Sequence, residues 1–300
     1  MNDSHVAALP AVIVVGSNST RLLYYLPDGQ KIRNRLETRL MQAFDGGSLT
    51  QAGIQKAADD VHALSLCAKE AGFLDIRVFA TSAARDADNK NELLKAIFQK
   101  TRLNTIIWSG EEEADYSFLG AVSDASHMKG PVGVIDIGGG SSEVVVVGTK
   151  EGLRQSMSLQ LGAGRLLETN PINRVEDIAL AMRQADRITH DIEPVAATSW
   201  TLIGGTGTAL ACAYLSIPFD AGLPQGGAVV PLAAAEELLY KMADMPLMER
   251  KNIVGVPPTR IDILPTGLII LLSLARRLSI SSLMVSENTN ADGYLFTLQG

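Results

Sequence analysis

Residues 132–147, Val-Gly-Val-Ile-Asp-Ile-Gly-Gly-Gly-Ser-Ser-Glu-Val-Val-Val-Val, constrain the fold more than any other stretch of the chain. One β-branched run enters a triple glycine and a second leaves it, which predicts two strands meeting at a turn almost devoid of side chains. Glycines there permit the positive φ that lets successive N–H groups converge on an anion. Asp136 and Glu143 flank the turn with carboxylates suited to a hard divalent cation. A hairpin with a glycine bulge and two exposed acids satisfies the same pattern.

The device occurs twice. Residues 11–15, Ala-Val-Ile-Val-Val, lead into Gly16-Ser17-Asn18-Ser19, and Leu22-Leu23-Tyr24-Tyr25 follows. A shift of 122 residues pairs Ile13 with Ile135, Gly16 with Gly138, Ser19 with Ser141 and Leu22 with Val144. One such match per half predicts two related halves facing one another, rather than a short-period solenoid. The same alignment sets Asp136 against Val14 and Glu143 against Arg21.

With 300 residues, the chain is long enough for two domains of ordinary size. Its 46% hydrophobic and 20% charged content is that of a soluble globular protein. Cys67 and Cys212 lie far apart in alanine-rich helical patterns, which argues against a disulfide framework and for a reducing cytoplasm. No signal segment opens the sequence, and the apolar stretch 261–278 is interrupted by Pro265, Gly267, Ser273 and Arg276, so it reads as a buried helix. A net charge of −7 argues against broad binding to nucleic acid or an anionic membrane, so an anionic ligand must be held by local groups. Closed homodimers are the common oligomer of soluble proteins, so a homodimer is the form to expect of any self-association.

Periodicity predicts helices over residues 50–72, with Thr50 as cap and Gly72 as stop, and over 91–100, 175–192, 231–244, 247–254 and 265–278. Ser109 and Glu112 have the spacing of a capping box for a helix running to Val122. Strands are predicted at 76–80, 105–108, 154–159, 201–203 and 283–286, a turn at 162–165, and a short helix at 291–298 returning to the first domain. The polar segment 123–131, which contains His127, reads as the boundary, giving domains 1–124 plus 286–300 and 125–285. Alternating strands and helices make this an α/β chain with mixed sheets.

Seven motifs in order carry a resemblance over nearly the whole chain. They are Gly16-Ser17-Asn18-Ser19-x-Arg21-Leu22, Ala80-Thr81-Ser82-Ala83-x-Arg85-Asp86-Ala87, Ser109-Gly110-Glu111-Glu112-Glu113-Ala114, Asp136-x-Gly138-Gly139-Gly140-Ser141-x-Glu143, Leu161-Gly162-Ala163-x-Arg165-Leu166, residues 204–208, and Arg260-x-Asp262-x-Leu264-Pro265-x-Gly267. Together they resemble the exopolyphosphatase/guanosine pentaphosphate phosphohydrolase family in its short two-domain form. That family lies within the actin-like ATPase superfamily, which implies two actin-like (ribonuclease H-like) domains flanking a central cleft.

The resemblance implies phosphate binding by Gly16, Ser17, Asn18 and Ser19 and by Gly138, Gly139, Gly140 and Ser141. It also implies Mg²⁺, or another divalent cation, on Asp136 and Glu143, and Glu113 as general base. On the sequence alone Glu113 reads first as a solvated acid in a helix's first turn, favoured by the dipole. If Glu112 serves the capping box, Glu113 lies about 100° round the helix and is available for other work. Arg85 suits a phosphate contact or an ion pair with Asp86. Arg165 has a similar but weaker case, and Arg21 also reads as a strand-edge charge. In that superfamily the turn at 204–208 faces a nucleotide or the next phosphates, and by this resemblance Gly205 and Thr206 are expected to bind phosphate. Gly205-x-Gly207 fails as a dinucleotide fingerprint because Leu210 occupies the third small position and no acid lies near residue 227.

The implied activity is hydrolysis of polyphosphate or guanosine pentaphosphate. The alternative is a catalytically weakened relative that binds a phosphate-rich ligand as a sensor or scaffold. Departures from the family pattern motivate that alternative: Val14 replaces the usual acid two residues before the first glycine, residues 39–44 lack the usual glycines, and residues 287–293 lack the usual arginine.

Overall fold

The computed structural model describes residues 9–123, 130–148, 154–193 and 197–299. The chain divides into two compact units, Met1–Trp108 with Tyr294–Gly300, and Ser109–Gly293.

The first unit contains β1 (Ala11–Val15), β2 (Thr20–Tyr25), β3 (Lys31–Leu36), a two-residue pair β4 (Phe44–Asp45) and β5 (Ser48–Leu49), α1 (Gln51–Glu70), β6 (Ile76–Ala80), α2 (Ser82–Asp86), α3 (Lys90–Thr101) and β7 (Thr105–Ile107). Its sheet runs β3-β2-β1-β6-β7. The first two pairings are antiparallel and the last two parallel. β1 is apolar throughout because it is central and buried on both faces. α1 starts at Thr50, whose hydroxyl accepts the Gly53 N–H at 3.2 Å, and beyond its end Gly72 takes φ +90°. Ile54, Ala57, Ala58, Val61, Leu64 and Ala68 form its buried face.

The second unit contains α4 (Gly110–Val122), β8 (Val132–Ile137), β9 (Ser142–Val147), β10 (Arg154–Leu159), α5 (Ala163–Thr169), α6 (Ile178–Thr189), β11 (Ser199–Ile203), α7 (Gly205–Leu215), β12 (Ala228–Pro231), α8 (Leu232–Ala243), α9 (Leu264–Arg277) and β13 (Ser282–Val285). α10 (Asn290–Phe296) begins in this unit and ends in the first. The sheet order β10-β9-β8-β11-β13-β12 reproduces that of the first unit, with β12 added at the edge. Again the hairpin strands are antiparallel, and β8, β11 and β13 are parallel. The α/β class with mixed sheets is thus as expected, and the internal repeat extends from the hairpin to the whole sheet.

Several local expectations need correction. The units divide at Trp108, not within residues 123–131, of which 124–129, with His127, lie outside the described residues. α4 goes with the second unit because Ala121, Phe118 and Val122 pack on Val134 and Ile203. Residues 162–165 open α5 rather than forming a free turn, and residues 175–177 and 247–252 are 3₁₀ rather than α. β3 and β12 are absent from the sequence reading: β3 is an edge strand, Lys-Ile-Arg-Asn-Arg-Leu, with little apolar alternation. Tyr294 of α10 packs against Phe79 at 4.6 Å between ring centroids, as a helix returning to the first domain requires. Both cysteines are free, and no helix among the described residues is long and apolar enough to cross a membrane.

Candidate active site

The two hairpin turns close identically. Gly16 N–H donates to the Ser19 carbonyl and Gly138 N–H to the Ser141 carbonyl, each at 3.0 Å. Contrary to expectation, none of Gly16, Gly138, Gly139 and Gly140 has positive φ. Glycine is needed at the second turn for close approach instead: a Cβ on Gly162 would collide with the backbone of Gly139 and Gly140. The start of α5 lies on the triple glycine, and the Ala163 and Arg165 N–H groups donate to the Gly138 and Gly139 carbonyls at 2.9 Å. Arg165 adds a 2.8 Å bond from Nε to the Gly140 carbonyl, so this arginine first supports the turn's backbone. The carbonyls are thus engaged, while the N–H groups of Gly139, Gly140 and Ser141 have no main-chain acceptor among the described residues.

Beside this turn stand three buried carboxylates. Asp136 and Glu143 are direct cross-strand partners on β8 and β9. Glu113 comes from the first turn of α4, where the capping box employs its neighbour: Glu112 accepts from Ser109 N–H at 2.8 Å and donates its own N–H to Ser109 Oγ at 3.1 Å. Glu113 therefore faces inward and is only 7% exposed, with Asp136 at 8% and Glu143 at 1%. Burial, then the charge of Glu113, then that of Asp136 push the Glu143 carboxyl well above the usual carboxylate range, against hydrogen bonds from Ser158 and Ser141. Ser158 Oγ donates to Glu143 Oε1 and Ser117 Oγ to Asp136 Oδ2, both at 2.8 Å. Among the described residues there is no preformed group of three or more His, Cys, Asp or Glu side chains able to hold a metal ion.

The turn after β11 completes this corner. Gly204 has φ +88°, and a Cβ there would lie 2.7 Å from Asp136 Oδ1. The Arg260 guanidinium lies directly on Gly205. Thr206 is buried, with its hydroxyl against Gly267 of α9, so its side chain serves the α7–α9 packing.

In the first unit, the Gly16–Ser19 turn is held by its own neighbours. Arg39 N–H donates to the Asn18 carbonyl at 2.7 Å and Met41 N–H to the Ser17 carbonyl at 2.8 Å. Ser17 Oγ accepts the Ala83 N–H at 3.1 Å, tying the turn to α2. The Asn18 amide donates to Glu37, which pairs with Arg35. Arg85 projects from α2 and donates to the Trp108 carbonyl at 2.8 Å. Val14, 2% exposed, faces Arg21 across the strands.

Sequence reasoning passed over Ser117, Ser158, Gly204 and Arg260 as site residues. Ser117 was accessible, since it stands four residues after Glu113 and so on the same helix face. Ser158 required the β9–β10 register, which pairs it with Glu143.

Residues 29–299 match the model of the Ppx/GppA phosphatase family. The chain is 30% identical to exopolyphosphatase 2 of Mycobacterium tuberculosis, over 97% of this chain and 98% of that one. It is 27% identical to the guanosine-5'-triphosphate,3'-diphosphate pyrophosphatase of Aeromonas salmonicida, over 99% of this chain and 60% of that longer protein. Among solved structures, the Aquifex aeolicus Ppx/GppA family member superposes with a TM-score of 0.76 at 25% identity, covering 97% of each chain.

Proposed function

Since the chain belongs to the Ppx/GppA phosphatase family, we propose that it is a phosphohydrolase releasing terminal phosphate from inorganic polyphosphate or guanosine pentaphosphate. The observation that carries this reading is the buried grouping of Glu113, Asp136 and Glu143 beside a turn with unengaged N–H groups. Such a concentration of like charge opposes folding unless it meets a cation or performs chemistry.

The N–H groups of residues 139–141 suit the oxygens of a terminal phosphoryl group, whose developing charge they would stabilise without reorganisation. Asp136 and Glu143 are hard oxygen donors in the number a protein commonly supplies to Mg²⁺, the remaining positions going to water and substrate phosphate. When bound there, Mg²⁺ supplies charge neutralisation to the phosphoryl oxygens. Glu113 accepts a proton from the attacking water as the new P–O bond forms and the bridging P–O bond breaks, and the electron pair leaves on the shortened chain's terminal oxygen. Within the first unit, the Gly16–Ser19 turn and Arg85 are groups of the kind that suit phosphate oxygens.

A second reading, a weakened relative that binds such a ligand without turning it over, is favoured by Val14, which leaves the first hairpin without a carboxylate. Phosphate release from polyphosphate and from guanosine pentaphosphate, with and without Mg²⁺, separates the two. The hydrolase reading expects Mg²⁺-dependent release that falls at least about a hundredfold in Glu113→Gln. No release from either substrate, with the ligand still bound, supports the second reading.

A further inference from the structure

Asp60 is the one carboxylate buried in the first unit among the described residues, and the proposed reaction does not use it. It lies on α1, where Lys56 Nζ reaches both of its oxygens at 3.0 Å. Asp60 Oδ2 also accepts from the Thr38 hydroxyl at 2.8 Å, and the Thr38 and Thr20 hydroxyl oxygens are 2.6 Å apart. A hydroxyl has one hydrogen to give. Thr38 spends its hydrogen on Asp60, so the donor in the second bond is Thr20. A directed chain therefore runs from Thr20 through Thr38 to Asp60.

Its two threonines bracket the first turn. Thr20 follows Ser19 as the first residue of β2 and is fully buried. Thr38 precedes Arg39 and Met41, whose N–H groups hold the Asn18 and Ser17 carbonyls. These are the two carbonyl oxygens that would repel an anion if they swung toward it. Arg39 itself has φ 52°, a left-handed conformation that a non-glycine residue keeps only where its surroundings over-determine it.

We propose that Asp60 is a positioning residue for phosphate binding: through Thr38 and Thr20 it fixes the strap 38–41 and thereby presents the N–H side of residues 16–19 to the ligand. This rests on the reading of that turn as a phosphate contact. These bonds run among Thr20, Thr38, Asp60, Lys56 and the backbone of the turn, none of which is proposed to act on the reacting phosphorus, so the effect falls on binding rather than turnover.

The test compares Thr38→Val, Thr38→Ser and Asp60→Asn in the full chain, using sodium tripolyphosphate with Mg²⁺ for kinetics and amide hydrogen exchange of the unliganded protein. Thr38→Val should raise KM about tenfold with kcat within about twofold, and speed exchange at residues 16–19, while Thr38→Ser restores both. Asp60→Asn keeps an acceptor oxygen and should move KM in the same direction by less. Unchanged exchange at the turn in Thr38→Val overturns the proposed coupling and leaves the hydrolase reading intact. Faster exchange with unchanged KM removes the turn from phosphate binding, which is the failure of the underlying reading. A fall in kcat at constant KM marks a merely structural role and also overturns the proposal. If Thr38→Val does not fold, Thr20→Val carries the same comparison, since it leaves the Thr38–Asp60 bond in place.

Discussion

Asp136 and Glu143 are direct cross-strand partners, and in the equivalent hairpin of the other unit that pair is Val14 and Arg21. Acidic residues placed opposite one another destabilise a sheet, and here both are buried. In Glu143→Gln the fold should gain stability above the ordinary carboxylate range, because the native state no longer has to bind a proton at this carboxyl or bury its charge. Removing it should raise the cation-free melting temperature by about 2–6 °C, on the scale of about 1–2 kcal/mol for a chain of this size. Mg²⁺ should stabilise the wild type and not the variant, which thermal denaturation with and without the ion checks.

The same residue sets a pH dependence. Its folded-state carboxyl titrates well above the ordinary value of 4.5, so between that value and the raised one the native state holds the extra proton. Native protein then binds more protons than unfolded protein, and stability falls as pH rises through this window. Denaturant titrations without divalent cation should show this slope in the wild type and a flatter one in Glu143→Gln. An identical slope in both would assign the titration to another group.

Ser117 fixes one oxygen of Asp136 at 2.8 Å. Outer-shell partners of this kind hold a ligand's orientation, and their loss commonly costs about 10–100-fold in metal affinity. Ser117→Ala should therefore weaken Mn²⁺ or Mg²⁺ binding by about tenfold, measured by calorimetry on the unliganded protein. Loss of this donor to a buried carboxylate oxygen should also lower stability by about 1 kcal/mol, a fall of about 2–4 °C in melting temperature.

How much of this was legible differs by element. The hairpins, their shared turn and the capping box follow from short-range patterns, and the box even frees Glu113 from the helix-end role that its position first suggests. The glycines were identified correctly as special but for the wrong reason, since conformation can be inferred from composition whereas the approach of Gly162 to residues 139–140 depends on tertiary packing. Ser158 and Arg260 reach the site only through strand register and a crossover, which no local window encodes. The unit boundary was misplaced because loop composition marks where the chain turns, whereas α4 is assigned by the apolar face it buries.

Gly204 combines two constraints that a side chain cannot meet. Its φ of +88° disfavours any L residue, and a Cβ would stand 2.7 Å from Asp136 Oδ1. Gly204→Ala should lower stability by about 1–3 kcal/mol and displace Asp136. Activity should fall further than stability accounts for, because the displaced carboxylate is one of the two proposed to hold the cation. Equal stability and activity in the variant would show that this backbone position tolerates a rearranged turn.

The replacement at Val14 offers the most direct test of the asymmetry between the hairpins. Val14 is 2% exposed, so an acid introduced there would be buried. Burial of a lone charge is costly, but Arg21 is the direct cross-strand neighbour, and opposite charges so placed attract by about 0.2–1 kcal/mol. Val14→Asp should therefore be destabilised by several kcal/mol, measured by denaturant unfolding, and Arg21 offsets only part of that loss. If the first hairpin's missing carboxylate limits turnover, this substitution should raise Mg²⁺-dependent phosphate release several-fold. Turnover that stays unchanged in a stably folded variant would mean that the first hairpin's missing carboxylate does not limit the reaction.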